Sequence, residues 1–333
     1  MIPGVEGGMV PSPALSVVVP CYNEQEVLPE FHHRLAAALE GLGLEWEVVY
    51  VNDGSRDATL TVMTSLATAD PRVALVNLSR NFGKEIALTA GLDHARGHEG
   101  VVVIDADLQD PPEVIPDLLA AARQGYDIAY AQRSVRHGEG FVKRMTASAF
   151  YRVMQRLGGK VQLPPDTGDF RYMSRRSLDA LLQLREQHRF MKGLFAWVGF
   201  PAIAVPYERA PRAAGETKWN YWKLWNLSLE GITSFTVGPL KIASYLGLAT
   251  AFFAGIYILQ LVVRTVFFGN PTPGYPSLMA VVLFLGGVQL MTLGIIGEYL
   301  GRIFNETKGR PLYIVERHIP SSAHAQATQR DAA

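Results

Sequence analysis

The chain has 333 residues, 48% hydrophobic and 19% charged, which sits at the apolar edge of globular composition. Lysine plus arginine (31) equals aspartate plus glutamate (31), so no bulk positive field holds nucleic acid nonspecifically and a DNA-coating role is disfavoured. One cysteine, Cys21, excludes an intramolecular disulfide framework and a Cys-rich zinc site, and it fits a reducing, cytosolic setting.

Residues 1–14 read as a disordered tail. Met1 to Leu15 carries no Lys or Arg, and the apolar run after it is short, so a cleaved signal peptide is not expected. From Leu15 to about Ala131, short β-branched runs alternate with longer amphipathic stretches. The strands are read at Leu15 to Pro20, Glu47 to Asn52, Val73 to Leu78, Val101 to Asp105 and Asp127 to Ala131. Apolar strands separated by helices predict an α/β fold, a Rossmann-like and mostly parallel sheet covered on both faces, in a domain over residues 15–212. Ligands of such sheets bind beyond the carboxyl ends of the strands. There the sequence places Tyr22, Asn23 and Glu24, then Asp53, Gly54 and Ser55, then Asp105, Asp107 and Gln109.

No glycine fingerprint for a dinucleotide and no P-loop occurs, so phosphate must be held differently. Asp105-Ala106-Asp107 with the amide of Gln109 offers hard oxygen ligands suited to Mg²⁺ or Mn²⁺. Surface turns carry Asp-x-Asp as well; the position after a buried strand and before Pro111-Pro112 favours the metal reading.

Between Arg133 and Lys160 stand seven Lys or Arg and one acid, Glu139, a locally basic stretch suited to a lipid phosphate. Phe141, Met145, Ala149, Val153 and Leu157 recur near helical spacing, an apolar stripe for a bilayer surface. Residues 213–239, with Trp219, Trp222 and Trp225 among Lys223 and Glu230, read as an amphipathic juxtamembrane segment. Two uncharged stretches follow, Ile242 to Val263 (22 residues) and Ser277 to Gly297 (21 residues), within a hairpin at 240–301. At about 1.5 Å per residue each crosses a hydrocarbon core of about 30 Å. Basic residues flank the hairpin (Lys218, Lys223, Lys241; Arg302, Lys308, Arg310) while its loop carries only Arg264. That bias predicts a multi-pass protein of the cytoplasmic membrane with both termini and the N-terminal domain inside and the loop outside. Gly297 and Gly301 have a helix-packing spacing, and residues 302–333 read as a cytoplasmic segment ending in a disordered tail from Ser321.

Val19-Pro20-Cys21-Tyr22-Asn23-Glu24, Val51-Asn52-Asp53-Gly54-Ser55, Leu78 to Glu85 with its Asn81-Phe82-Gly83-Lys84 core, and Asp105 to Pro112 occur in an order that resembles family 2 glycosyltransferases of the GT-A fold. The similarity is to the branch of dolichyl-phosphate mannosyltransferase and bacterial polyprenyl-phosphate glycosyltransferases. Gly168-Asp169-Phe170-Arg171, Arg189 to Gly193 and Ala214 to Trp219 look like the undecaprenyl-phosphate glucosyltransferase type with two membrane helices. Cys21 departs from the small aliphatic residue expected there.

The resemblance implies that Pro20, Tyr22, Asn23, Glu24 and Asp53 hold the uridine of a nucleotide sugar with Lys84 nearby. It implies that Asp105, Asp107 and Gln109 bind the metal and diphosphate, and that Arg212 and Lys218 lie over that diphosphate. Arg133, Arg144 and Ser148 become ligands of the acceptor phosphate, and Asp169 orients sugar or acceptor or acts as general base. The implied reaction is inverting transfer of a sugar, glucose from UDP-glucose first, to polyprenyl phosphate for cell-envelope glycan modification. UDP-GlcNAc, GDP-mannose and UDP-formylaminoarabinose are the other donors, and a catalytically inactive membrane scaffold is the reading outside enzymes. A homo-oligomer, a tetramer first, and a separate flippase with a downstream glycosyltransferase complete the expected partners, with membrane lipids and without nucleic acid. No Gln-x-x-Arg-Trp segment occurs, which disfavours a processive synthase.

Overall fold

The computed structural model describes residues 13–134, 167–208, 238–268 and 274–322. They fall into two compact units: the first holds every strand, including chain from Pro311 onward, and the second holds two long helices.

In the first unit the chain runs β1 (Leu15–Cys21), α1 (Leu28–Glu40), β2 (Trp46–Asn52), α2 (Thr59–Ala69), β3 (Val73–Leu78), α3 (Lys84–His94), β4 (Gly100–Val103), a 3₁₀ turn (Pro112–Val114), α4 (Ile115–Ala122), β5 (Ile128–Arg133), β6 (Thr167–Ser174), α5 (Arg175–Leu182), α6 (Met191–Trp197), β7 (Ala202–Tyr207) and, after the long helices, β8 (Val315–Ile319). One sheet has the order β7-β5-β6-β4-β1-β2-β3-β8. β1 pairs in parallel with β2 and β4, β2 with β3, and β5 with β7; β6 runs antiparallel to β4 and β5, and β8 antiparallel to β3. The sheet is therefore mostly parallel, as the apolar runs predict. β1, β2 and β3 are buried nearly throughout because helices cover both faces.

α1 shows why a helix forms where it does. Leu28, Phe31, Leu35 and Leu39 recur at helical spacing and are all buried, and Pro29 stands in the first turn where its missing N–H costs nothing. Burying each such side chain contributes about 2 kcal/mol. The strand order reverses around β1, with β2 and β3 to one side and β4 to the other, so the crevice beyond the carboxyl ends of β1 and β4 is the switch point where this architecture holds ligands.

Two boundaries differ from the sequence reading. Pro13 and Ala14 are not tail: Ala14 is buried, its N–H donates to Glu45 O at 2.8 Å, and Pro13 O accepts from His98 N at 3.0 Å. Likewise the C-terminal segment is built into the domain, since β8 completes the sheet and Ser321 is buried. Ser321 Oγ donates to Glu47 Oε2 at 2.6 Å, and the same buried carboxylate accepts from Ser16 and Arg96. An unpaired charge there is costly, and this network offsets that cost by neutralising Glu47 with Arg96 and tying the last strand to the start of β2.

In the second unit, α7 (Gly238–Phe268) and α8 (Tyr275–Thr307) pack on each other. They extend the sequence-read spans at both ends. Leu240–Tyr257 and Phe284–Thr307 are long and apolar enough to cross a membrane. Large side chains such as Phe252, Phe253, Leu259, Phe267 and Leu290 lie exposed along them. Among the described residues, a Cβ at Gly297 or Gly301 would meet nothing within 4 Å, so no described side chain packs against this pair. Most of the juxtamembrane segment, 213–237, lies outside the described residues.

Candidate active site

β1 and β2 end in loops that are stitched to each other. Asn23, with a positive φ of 56°, donates its backbone N–H to Ser55 Oγ at 3.1 Å, and its side-chain oxygen accepts from Arg56 N at 2.9 Å. Glu24 N donates to Thr59 Oγ1 at 2.8 Å. Pro20 and Tyr22 are half-buried on the same edge. Asp53 is buried, and both its oxygens are taken up by backbone: Oδ1 accepts from Phe82 N at 2.7 Å and Oδ2 from Gly83 N at 3.0 Å. Burial pushes its carboxyl up while those two bonds pull it down. Its direct work is to hold the loop that delivers Lys84.

Lys84 opens α3 and reaches across to two carboxylates at once. Its Nζ stands 2.6 Å from Asp105 Oδ2, beyond β4, and 2.7 Å from Asp169 Oδ2, on β6. Crowding by protein would lower the ammonium pKa, but the facing Asp105 and Asp169 outweigh it and hold the lysine well above its ordinary value. The two acids diverge. Desolvation dominates at Asp105 and raises its carboxyl; at Asp169 burial is outweighed by Lys84, then Lys192 and Arg171, and the carboxyl is held well below its usual range.

Asp107 does not join that bridge. Its Oδ1 accepts from Gln109 N at 3.1 Å, closing a turn in which Leu108 takes a positive φ of 57°. Among the described residues no three His, Cys, Asp or Glu side chains converge as a metal cluster. The donor chemistry nevertheless fits a divalent ion: carboxylate and amide oxygens of Asp105, Asp107 and Gln109 share one loop, and among the described residues buried Asp169 Oδ1 has no hydrogen-bond partner.

Arg133 ends β5 and hydrogen-bonds the Tyr207 hydroxyl, which also bonds Asp110. Burial and then Asp110 push the Tyr207 pKa up to about 12. A Cβ placed on Gly168 would lie 3.7 Å from both Arg133 Nη2 and Asp110 Oδ2, so adjacent residues of β6 meet the Arg133 group and the Lys84 group. Arg144, Ser148, Arg212 and Lys218 lie outside the described residues.

Several groups at the site carry no role in the sequence reading. Glu85 Oε2 accepts from Met191 N at 3.0 Å, which fixes the start of α6 beside α3. Arg171 is buried, donates to the backbone oxygens of Gly168 and Asp169, and stacks at 3.8 Å on Phe195. Glu85, Arg171 and Lys192 belong to motifs noted in the sequence, yet only their packing shows that they surround Asp169.

Burial, then Asp169, pushes the Glu85 carboxyl from 4.5 up to about 7. The fold therefore binds this proton more tightly than the unfolded chain does, and stability falls as pH rises between these two values and is level above. E85Q, fixed in the neutral form, is expected to raise Tm relative to the parent by a few degrees at pH 8 and not at pH 4, below the window in which the unfolded chain loses this proton. An equal difference at both pH values would remove this account.

Residues 16–182 match glycosyl transferase family 2, and residues 238–303 match the GtrB C-terminal hairpin. The chain belongs to glycosyl transferase family 2. This glycosyltransferase is 52% identical to an uncharacterized glycosyltransferase of Synechocystis over 90% of this chain and 94% of the relative. It is 47% identical to the prophage bactoprenol glucosyl transferase homolog of Escherichia coli, over 91% of this chain and 98% of the relative. It is also 47% identical to the bactoprenol glucosyl transferase of Shigella phage SfII, over 91% and 97%.

Proposed function

We propose that this glycosyltransferase moves glucose from UDP-glucose to the phosphate of a polyprenyl phosphate, undecaprenyl phosphate first, at the cytoplasmic face of the inner membrane. The acceptor oxygen attacks the anomeric carbon, the bond to the diphosphate breaks, UDP leaves, and the configuration inverts. What carries the reading is a family 2 site, with Lys84 between Asp105 and Asp169, in a chain that also has two helices apolar enough to enter the membrane that holds such an acceptor. The names of the bactoprenol glucosyl transferases support the substrate pair.

A phosphate acceptor is already an anion near neutral pH, so deprotonating it is a minor part of the task and alignment with charge stabilisation is the major part. The loops after β1 and β2 hold the nucleoside, Arg133 holds the acceptor phosphate with Tyr207 and Asp110 fixing its reach, and Asp169 orients the sugar. Mg²⁺ or Mn²⁺, when bound by Asp105, Asp107 and Gln109, supplies charge that stabilises the departing diphosphate. β8 follows α8 and joins the same sheet as the strands before α7, which supports chain entry and exit on one side of the membrane. Two helices form no sugar channel, so a separate flippase carries the lipid phosphosugar across and a downstream transferase consumes it.

The test is a donor screen on membranes bearing the protein, with undecaprenyl phosphate and radiolabelled UDP-glucose, UDP-GlcNAc, GDP-mannose and UDP-formylaminoarabinose. Label from UDP-glucose is expected in the organic phase and is expected to vanish with EDTA. Label from another donor with none from UDP-glucose would overturn the choice of glucose, and failure of every UDP-sugar would sink the proposal.

A further inference from the structure

β8 meets β3 with one residue too many. Leu78 pairs with Val315 and Asn77 with Arg317, leaving Glu316 as the extra residue of a bulge. A bulge turns a side chain away from the direction its strand would give it. Here Glu316 Oε2 accepts from Asn77 Nδ2 at 2.8 Å. Asn77 Oδ1 accepts from Asn52 Nδ2 at 2.7 Å, and Asn52 Oδ1 accepts from Ser55 N at 3.2 Å. Ser55 Oγ then accepts from Asn23 N at 3.1 Å. Asn52 and Asn77 are 2% and 5% exposed, so solvent has little access to substitute for a lost partner. The chain of bonds begins on the strand after the membrane helices and ends in the two loops assigned to the donor.

The polarity of this relay is fixed at both ends, by the Glu316 carboxylate, which only accepts, and by the Ser55 N–H, which only donates. An amide side chain can turn either edge to a neighbour, but a carboxylate only accepts. Glu316 thus obliges Asn77 to present its NH₂, which leaves the Asn77 oxygen for the Asn52 NH₂ and the Asn52 oxygen for the Ser55 N–H. Reversing the first group reverses all of them, and the last step then sets NH₂ against N–H.

We propose that Glu316 is a positioning residue for donor binding: its carboxylate orients the Asn77 and Asn52 amides and so holds the Ser55 and Asn23 loops in the form that grips the nucleoside. The kinetic consequence rests on the donor reading given above; the relay itself does not. An exposed strand residue with no such role would tolerate Ala, Gln and Lys alike.

The experiment uses the full chain in detergent micelles and the variants E316Q, E316A and E316K. Hydrogen exchange of peptides covering 52–57 is expected to match the parent in E316Q, which keeps an acceptor oxygen. It is expected to quicken about fivefold in E316A, and further in E316K, where the ammonium inverts the relay. Peptides from β4 and β6 serve as the folding control and are expected to stay unchanged. With UDP-glucose and undecaprenyl phosphate, KM for the donor is expected to rise in the same order while kcat and the acceptor KM hold.

Exchange in E316K no faster than in E316A overturns the proposal, as does parental exchange in E316A. If E316K does not fold, equal exchange in E316Q and E316A overturns it. Absence of turnover in the parent with UDP-glucose counts against the functional reading alone, because the exchange result still decides the relay.

Discussion

Replacing Lys84 with methionine is expected to lower turnover about a hundredfold or more, in line with removal of one preorganised charge from a catalytic centre. The ammonium lies 2.6 Å from Asp105 and 2.7 Å from Asp169, and it is the leading cause that holds the Asp169 carboxyl low against its burial. Without it the two acids face each other, and both take up protons more readily. The sign follows: Asp169, depressed in the parent, rises in the variant, so the acid limb of the rate profile moves to higher pH. The deficit of K84M is therefore expected to be larger at pH 5.5 than at pH 8. K84R keeps the charge but not the point geometry, and is expected to recover part of the rate. Initial rates across this range decide the matter. Parental rates with an unmoved acid limb would show that Lys84 is a solvated lysine at the start of α3.

The bridge also shows what the sequence carries and what it hides. β1 to β3 are legible because buried parallel strands read as continuous apolar runs such as Leu15–Cys21. β6 is not legible that way: Thr167–Ser174 includes Asp169 and Arg171, side chains that face the site or its supporting shell, so its pattern records chemistry rather than core. β8 fails for another reason. Val315–Ile319 is a polar edge strand separated in sequence from its partner, β3, by α7 and α8 and everything before them, and no local pattern encodes a pairing such as that of Asn77 with Glu316. Asp105 and Asp107 read as a matched pair from their spacing; the partners each takes, Lys84 for Asp105 and the backbone of Gln109 for Asp107, are set by the fold and do not show in that spacing. Asp53 stands at the strand end where the sequence puts it, but its burial and its two backbone bonds assign it to the Phe82–Gly83 loop.

That loop is the reason a single methyl group at Gly54 is expected to be as damaging as the loss of a charge. Gly54 has a φ of +62°, and a Cβ there would stand 2.4 Å from Asn81 N and 2.5 Å from Arg80 C. Both are backbone atoms, so no rotamer change relieves the overlap, and residues 80–83 must move away from β2. Asp53 O accepts from Asn81 Nδ2 at 3.0 Å, and its carboxylate accepts from Phe82 and Gly83; these bonds lengthen together. Lys84 is the next residue and moves with them. G54A is expected to cost about 3 kcal/mol of stability, backbone strain plus weakened bonds to a charged group. Turnover is expected to fall at least about a hundredfold, because a 1 Å displacement of a catalytic group is enough for that loss. Gly43 provides the comparison, with a nearly identical φ of +63° and nothing within 4 Å of its Cβ. G43A carries the strain without the collision, so it is expected to lose about 1 kcal/mol and keep its rate. If Tm and turnover of the two variants fall together, strain alone accounts for Gly54. If only G54A loses activity, the contact between the β2 turn and the Lys84 loop is what sets the active geometry.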